Sequence, residues 1–265
     1  LILADDHLKN QKNKMAYLNK QVKVSIPGNL QNTQYGSNDV LFDWTAFEIP
    51  KGSGILKNIT VVVRGEDGVA TVNPQHKHLY FARSIDGSAP NSIGTVNSTA
   101  NGLGYYNNII GASIVDKTDA IIDGLDYISV FSTGAASNAN TGTPDIAFST
   151  EDHLTASAGY EKYYVAAVNH GGDSYNFTTG VLLDQGSNQA TATGSTTLTV
   201  DGTDARRVFA VGDVMIDTSN AVIGTVTAVA SATSITVDAV ANAITDDDEL
   251  LVQSPITLNL SFDLA

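Results

Sequence analysis

Two histidines one residue apart, His76 and His78, form the pair in this sequence best spaced to do chemistry. In an extended segment, residues i and i+2 share a face, so both imidazoles point the same way and offer two nitrogen ligands to a divalent metal. A protein metal site needs a third ligand, and no neighbour in sequence supplies one. Two solvated histidines on a surface strand is the reading these residues support. The acidic run Asp246, Asp247, Asp248, Glu249 offers the hard oxygens that calcium takes. It lacks the alternate-residue spacing and the distal glutamate of a calcium loop. Runs of like charge are mostly solvated turns, and they discourage strand edges from aggregating.

His153 and His170 have Ser and Asp neighbours, but catalytic triads are assembled by folding and not by adjacency. No G-x-S-x-G elbow is present, and no glycine-rich cradle leads from a strand into a helix, which disfavours nucleophilic and nucleotide chemistry. So acidic a chain offers many carboxylate pairs and singles out none for glycoside hydrolysis. Alternation sends Trp44, the one tryptophan, into the core. In Tyr105–Tyr106 and Tyr163–Tyr164 it turns one ring in and one out. No catalytic, cofactor-binding or metal-ligating residue is assigned, and the expectation is a protein that is not an enzyme.

The elements that carry these residues are strands. Ile55 to Arg64 is dominated by β-branched residues and closed by glycines at both ends, so it predicts a central strand. Ile256 to Leu264 alternates at period two and is its expected partner. Further strands are predicted at Gln21–Ile26, Val40–Ile49, His78–Arg83, Ile109–Ile114, Ala120–Ile122, Tyr127–Phe131, Glu161–Val168 and Asn176–Leu183. Phe42, Trp44 and Phe47 are the candidate core residues of Val40–Ile49. Asn29–Asp39 reads as polar loop. The polar stretches Ser84–Asn108 and Thr133–Gly159 read as surface loops of the length that binding surfaces use. One helix is expected, Asp5 to Lys20, capped by Asp5 or Asp6, with Leu8, Met15 and Leu18 on one face and lysines around the rest.

Near Gln185 the composition shifts to Gln, Asn, Thr, Ser and Gly, and from Thr196 to Val252 aromatics vanish apart from Phe209, returning in the closing strand after Pro255. Short strands are predicted at Thr197–Val200, Val208–Ile216, Ala221–Ala230, Ser234–Val237 and Asp246–Val252, with a hairpin turn at Asp217–Asn220. The expectation is therefore an all-β protein. Residues 1–20 form a helical arm, 21–184 plus 253–265 a main β-sandwich or jelly-roll-like domain, and 185–252 a small inserted β-barrel domain.

The 265 residues carry a formal net charge of −14 and no cysteine. Disulfides and thiolate metal sites are excluded. Such a surface repels phosphates and anionic lipids, so neither nucleic acid nor a membrane is an expected partner. No apolar run approaches the ~20 residues that cross a bilayer, and Leu1 to Asp6 lacks the basic start of a signal peptide. Charged residues make up 16%, against roughly 25% in ordinary domains, so Ser, Thr, Asn and Gly must cover the surface.

The runs Leu56–Arg64 and Leu79–Ser84, with Ile109–Ile110, resemble structural proteins of tailed phages, in particular β-rich capsid decoration or cement proteins. Val211–Ile216, Gly224–Val226, Ser234–Val237 and Asp248–Leu250 are similar to small β-barrel modules of virion proteins. That resemblance implies a virion location and assembly on a lattice of major capsid protein, often as a trimer, with no catalytic residues. The basic segment Lys9–Lys23 is the expected docking arm. A tail, baseplate or adaptor protein, and a carbohydrate-binding module, are the alternatives.

Overall fold

In a computed structural model, the structure describes residues 16–31, 33–64, 76–84, 88–101, 106–115, 120–121, 128–133, 143–149, 157–170, 181–183, 192–201 and 204–264. Along the chain come β1 (Ala16–Val24), the helical turn α1 (Gly28–Gln31), β2 (Val40–Pro50), β3 (Gly54–Arg64), β4 (His76–Arg83), β5 (Ile109–Val115), β6 (Ala120–Ile121), β7 (Ile128–Ser132), β8 (Ile146–Phe148) and β9 (Tyr160–His170). Then follow β10 (Val181–Leu183), β11 (Thr197–Asp201), the turn α2 (Ala205–Val208), β12 (Val214–Asp217), β13 (Val222–Ser231), β14 (Ser234–Val237), β15 (Glu249–Val252) and β16 (Ile256–Leu264). The protein is all-β in character, and every strand pair is antiparallel.

The first sheet runs β1-β16-β3-β7-β6, with β8 paired to the start of β3. The expected partnership of Ile55–Arg64 with Ile256–Leu264 is present: Ile256 lies opposite Val63 and Leu264 opposite Gly54. The second sheet runs β2-β9-β4-β5. The two sheets share one core. Val61, Leu258 and Leu260 from the first meet Phe47, Phe81 and Val165 from the second, all buried. Phe148 of β8 sits where aromatic rings from both sheets converge. Its ring centroid is 4.8 Å from Tyr163, 5.1 Å from Phe262, 6.1 Å from Phe81 and 6.2 Å from Phe47.

The helix expected over Asp5–Lys20 is corrected at its end. Ala16 to Lys20 are strand, in register with β16 from Leu264 to Leu260; Asp5 to Met15 lie outside the described residues. A helical stripe and a period-two pattern both fit Leu18, and nine residues of ladder with β16 decide between them. Trp44 is also corrected. Phe42 pairs with Ala167 but Thr45 with Val165, so Asp43 and Trp44 together face Ala166. That bulge throws Trp44 onto the outer face, where it packs near Val40, Ala166 and Ile93. Tyr163 and Tyr164 are both buried, the second on the outer face, so no ring of that pair points to solvent.

Residues 88–101, inside one expected surface loop, fold back as a cover on the outer face of the second sheet. Ile93 is buried there, the Trp44 indole N–H donates to Asn91 O at 2.9 Å, and the Val40 N–H donates to Ser98 O at 2.9 Å. The other expected loop contains β8.

Between β9 and β16, strands β10-β11-β14-β13-β12-β15 pair in a closed ring around their own core, which includes Leu198, Phe209, Met215, Ile223 and Leu250. The strand expected over Val208–Ile216 starts only at Val214. Ahead of it, Asp204 caps α2, accepting from the Arg206 N–H at 3.0 Å. The hairpin turn at Asp217–Asn220 joins β12 to β13. Asn220 takes a left-handed φ of 72°, and Asp217 Oδ1 accepts from the Ser219 and Ala221 N–H groups at 2.8 and 2.9 Å.

Candidate functional site

Three places on the described surface can act on something else: a histidine corner of the second sheet, the seam between the two-sheet body and the ring, and a lysine-lined edge.

The corner is built by the ends of β4 and β9. His76 lies opposite His170, Lys77 opposite Asn169 and His78 opposite Val168. The His78 and His170 rings stack with centroids 4.1 Å apart. Lys77 and Asn169 face inward, on the face that carries Leu79 and Ala167. Lys77 is 1% exposed, and burial pushes its amine down to about 7. The Asn169 amide donates to Gly36 O at 3.0 Å and Tyr35 O at 3.3 Å, while its Oδ1 is buried with no hydrogen-bond partner. Burial, with Asp39 adding to it, holds the Tyr35 phenol well above its usual value.

Glu161 is the buried acid at the other end of β9, where Oε2 accepts from the Tyr163 hydroxyl at 3.0 Å. Glu161 and Asn169 are eight positions apart along β9, so roughly 26 Å lies between that acid and the Lys77 amine's corner. They cannot share a substrate. Sequence reasoning missed Lys77, Glu161 and Asn169. The signal was available in parity: each is in phase with Leu79, Tyr163 or Ala167.

At the seam, the Arg64 guanidinium at the end of β3 reaches across to the ring. It donates to Val208 O at 2.7 Å and to Asp213 Oδ1 at 2.9 Å, and its ion pair brings Asp213 Oδ2 to 2.7 Å. Asp213 also accepts from the Ala210 N–H at 2.7 Å. The Gly28 N–H donates to Asn220 Oδ1, and a Cβ at Gly28 would stand 2.3 Å from Asp217 O. The Gln31 amide donates to Ile26 O and Val252 O, both at 2.9 Å. A polar cleft of about 480 Å³ opens beside Arg64, Asp213 and Lys23.

The edge is where β1 and β2, each first in its sheet, run side by side. Lys20, Lys23, Lys162 and Glu48 line a cleft of about 360 Å³ there. Hydrogen bonds from Ser157 hold the Glu48 carboxyl below its ordinary range, with Lys162 and Lys20 adding to the effect. On the outer face of the first sheet, Tyr17, Asp263, Ile55 and Ala147 form one cross-strand row, with Tyr17 80% exposed.

The remaining sequence candidates are dispersed. Asp246–Asp248 is a turn leading into β15, which Glu249 opens, and in it Asp248 accepts from the Thr245 N–H at 2.6 Å. His153, Tyr105 and Lys9, Lys12 and Lys14 lie outside the described residues. No three described His, Asp or Glu side chains stand close enough to share a metal ion, and no described helix is long and apolar enough to cross a membrane. Compared with known proteins, the chain matches no family model, no curated protein and no solved structure.

Proposed function

We propose that the chain is a non-enzymatic virion structural protein, a decoration protein that binds and stabilises a lattice of major capsid protein. The observation that carries this reading is strand order. Count β1, β2, β3, β4, β5, β7, β9 and β16 as first to eighth. One sheet then runs first, eighth, third, sixth, and the other second, seventh, fourth, fifth. That order supports a jelly roll, the double Greek key used by capsid proteins, lectins and cupins. The ring of β10 to β15 supports an inserted β-barrel module in the last connection, clamped by Arg64. Lys20, Lys23 and Lys162 put a positive edge on a chain of net charge −14, which suits an acidic neighbour, and a second copy of the chain is one. Edge lysines also block strand-to-strand addition, so neighbours meet through side chains.

The test is solution mass and co-sedimentation with capsids, for the full chain and for a chain lacking residues 1–15. Oligomers that bind particles support the reading. A monomer that binds no particle overturns it. Truncation must stop at residue 15, because residues 16–20 belong to β1. A carbohydrate-binding module is the second reading, favoured by the exposed Tyr17 ring and by the use of jelly rolls as lectins; a glycan array separates the two.

A further inference from the structure

Lys77 and Asn169 stand directly opposite each other on β4 and β9, and opposite residues of an antiparallel pair share a face. That face is the inner one: Lys77 is 1% exposed and Asn169 0%. Burial pushes the Lys77 amine down to about 7, so near neutral pH a large share of it is uncharged and nucleophilic. The Asn169 amide nitrogen is anchored by Gly36 O at 3.0 Å and Tyr35 O at 3.3 Å, yet Oδ1 of the same amide is buried with no hydrogen-bond partner. Buried oxygens are nearly always paired, and an orphan marks strain or a chemical role.

We propose that Lys77 and Asn169 are a self-modification site, at which the lysine amine displaces the amide nitrogen and leaves an isopeptide bond between β4 and β9. The neutral Lys77 Nζ attacks Asn169 Cγ. The Nζ–Cγ bond forms, the Cγ–Nδ2 bond breaks, and one amine proton leaves with Nδ2 as ammonia. Nothing is oxidised or reduced, so no cofactor is needed. Cβ atoms of opposite residues lie about 4.5–5.5 Å apart, a gap that the long lysine stem bridges. The shared ladder makes the attack intramolecular, and burial keeps water, the competing nucleophile, away from Cγ. A neutral amine that donates a hydrogen bond keeps its lone pair, so a partner of its N–H groups does not block the attack. Asp39 is the proton carrier. Its carboxylate accepts from the Gly36 N–H at 2.7 Å, on the residue that anchors the Asn169 amide, and its charge is felt at the Tyr35 phenol inside the corner. The product is a neutral amide, which suits a buried position better than an amine does.

The test uses the full chain, held folded at neutral pH until its mass stops changing, then unfolded and weighed. The expected mass is that of the sequence less one ammonia. Trypsin should leave Lys77 uncut and release a branched peptide joining the segments of Lys77 and Asn169. Lys77→Met and Asn169→Ala should each keep the full mass of their sequences. Asn169→Asp should form the same bond by losing one water instead, which ties the mass change to this Cγ. Urea midpoints check that each variant is folded. A parent of full sequence mass overturns the site. So does ammonia loss without the branched peptide, which is what an asparagine cyclising on its own backbone would give. Ammonia loss that persists in folded Lys77→Met overturns it as well.

Discussion

Replacing Arg64 by Met keeps the aliphatic stem and removes the guanidinium that ties the ring to the body. Two hydrogen bonds, one to Val208 and one to Asp213, are lost together with the ion pair, and the Asp213 carboxylate, its side chain only 9% exposed, is left without its cation. Breaking a fully buried ion pair costs about 3–5 kcal/mol, whereas an exposed pair contributes about 0.2–1 kcal/mol. The Arg64 side chain is 29% exposed, which places the pair between those limits, at about 2 kcal/mol. For a chain of this size that corresponds to a fall of about 4–8 °C in Tm. Asp213→Asn keeps an oxygen for the Ala210 N–H, so a double-mutant cycle isolates the charge pairing, with an expected coupling of about 1 kcal/mol. The assay is urea unfolding of the parent, both single variants and the double variant. If Arg64→Met stays within about 0.5 kcal/mol of the parent, or the two changes simply add, the clamp does not exist.

Phe148→Ala empties the point where four other rings converge, and should cost about 3–5 kcal/mol in urea unfolding, with Phe148→Leu costing clearly less. Gly28→Ala drives a Cβ into the Asp217 carbonyl and should cost about 1–3 kcal/mol and loosen the ring, read as a second unfolding step or a larger radius of gyration in X-ray scattering. Acid should destabilise the fold through depressed carboxyls. Arg206 holds Asp204 at about 2, Lys57 lowers Asp145, the Thr225 N–H lowers Asp238, and Ser157 lowers Glu48. Each folded pKa lies below its unfolded value near 4, so the contribution is complete above pH 5 and disappears as pH falls toward 2; urea midpoints between pH 7 and 2.5 that stay level would contradict this.

The strongest strands were readable because residue type and period agreed. Ile55–Arg64 and Ile256–Leu264 announced themselves and each other, and β14 was read to the residue. β1 was not readable, because Leu18 and the lysines around it fit a helix as well as a strand until β16 is alongside. β8 has three residues, too few to show alternation, yet it places Phe148 at the heart of the core. One bulge in β2 moved Trp44 to the other face, and no local signal marks it. His170 joined His76 and His78 only through sheet register, which a single sequence does not carry.

β16 lies between β1 and β3, yet it follows the whole β10–β15 ring along the chain. During translation, the first sheet therefore has an empty slot at its middle until the ribosome has passed Leu264. The ring strands are contiguous and can condense earlier, as a bead already formed when its trailing segment threads home. Until then Val22, Leu56 and Val61 have no lateral shield, and that interval is when a chaperone has most to protect.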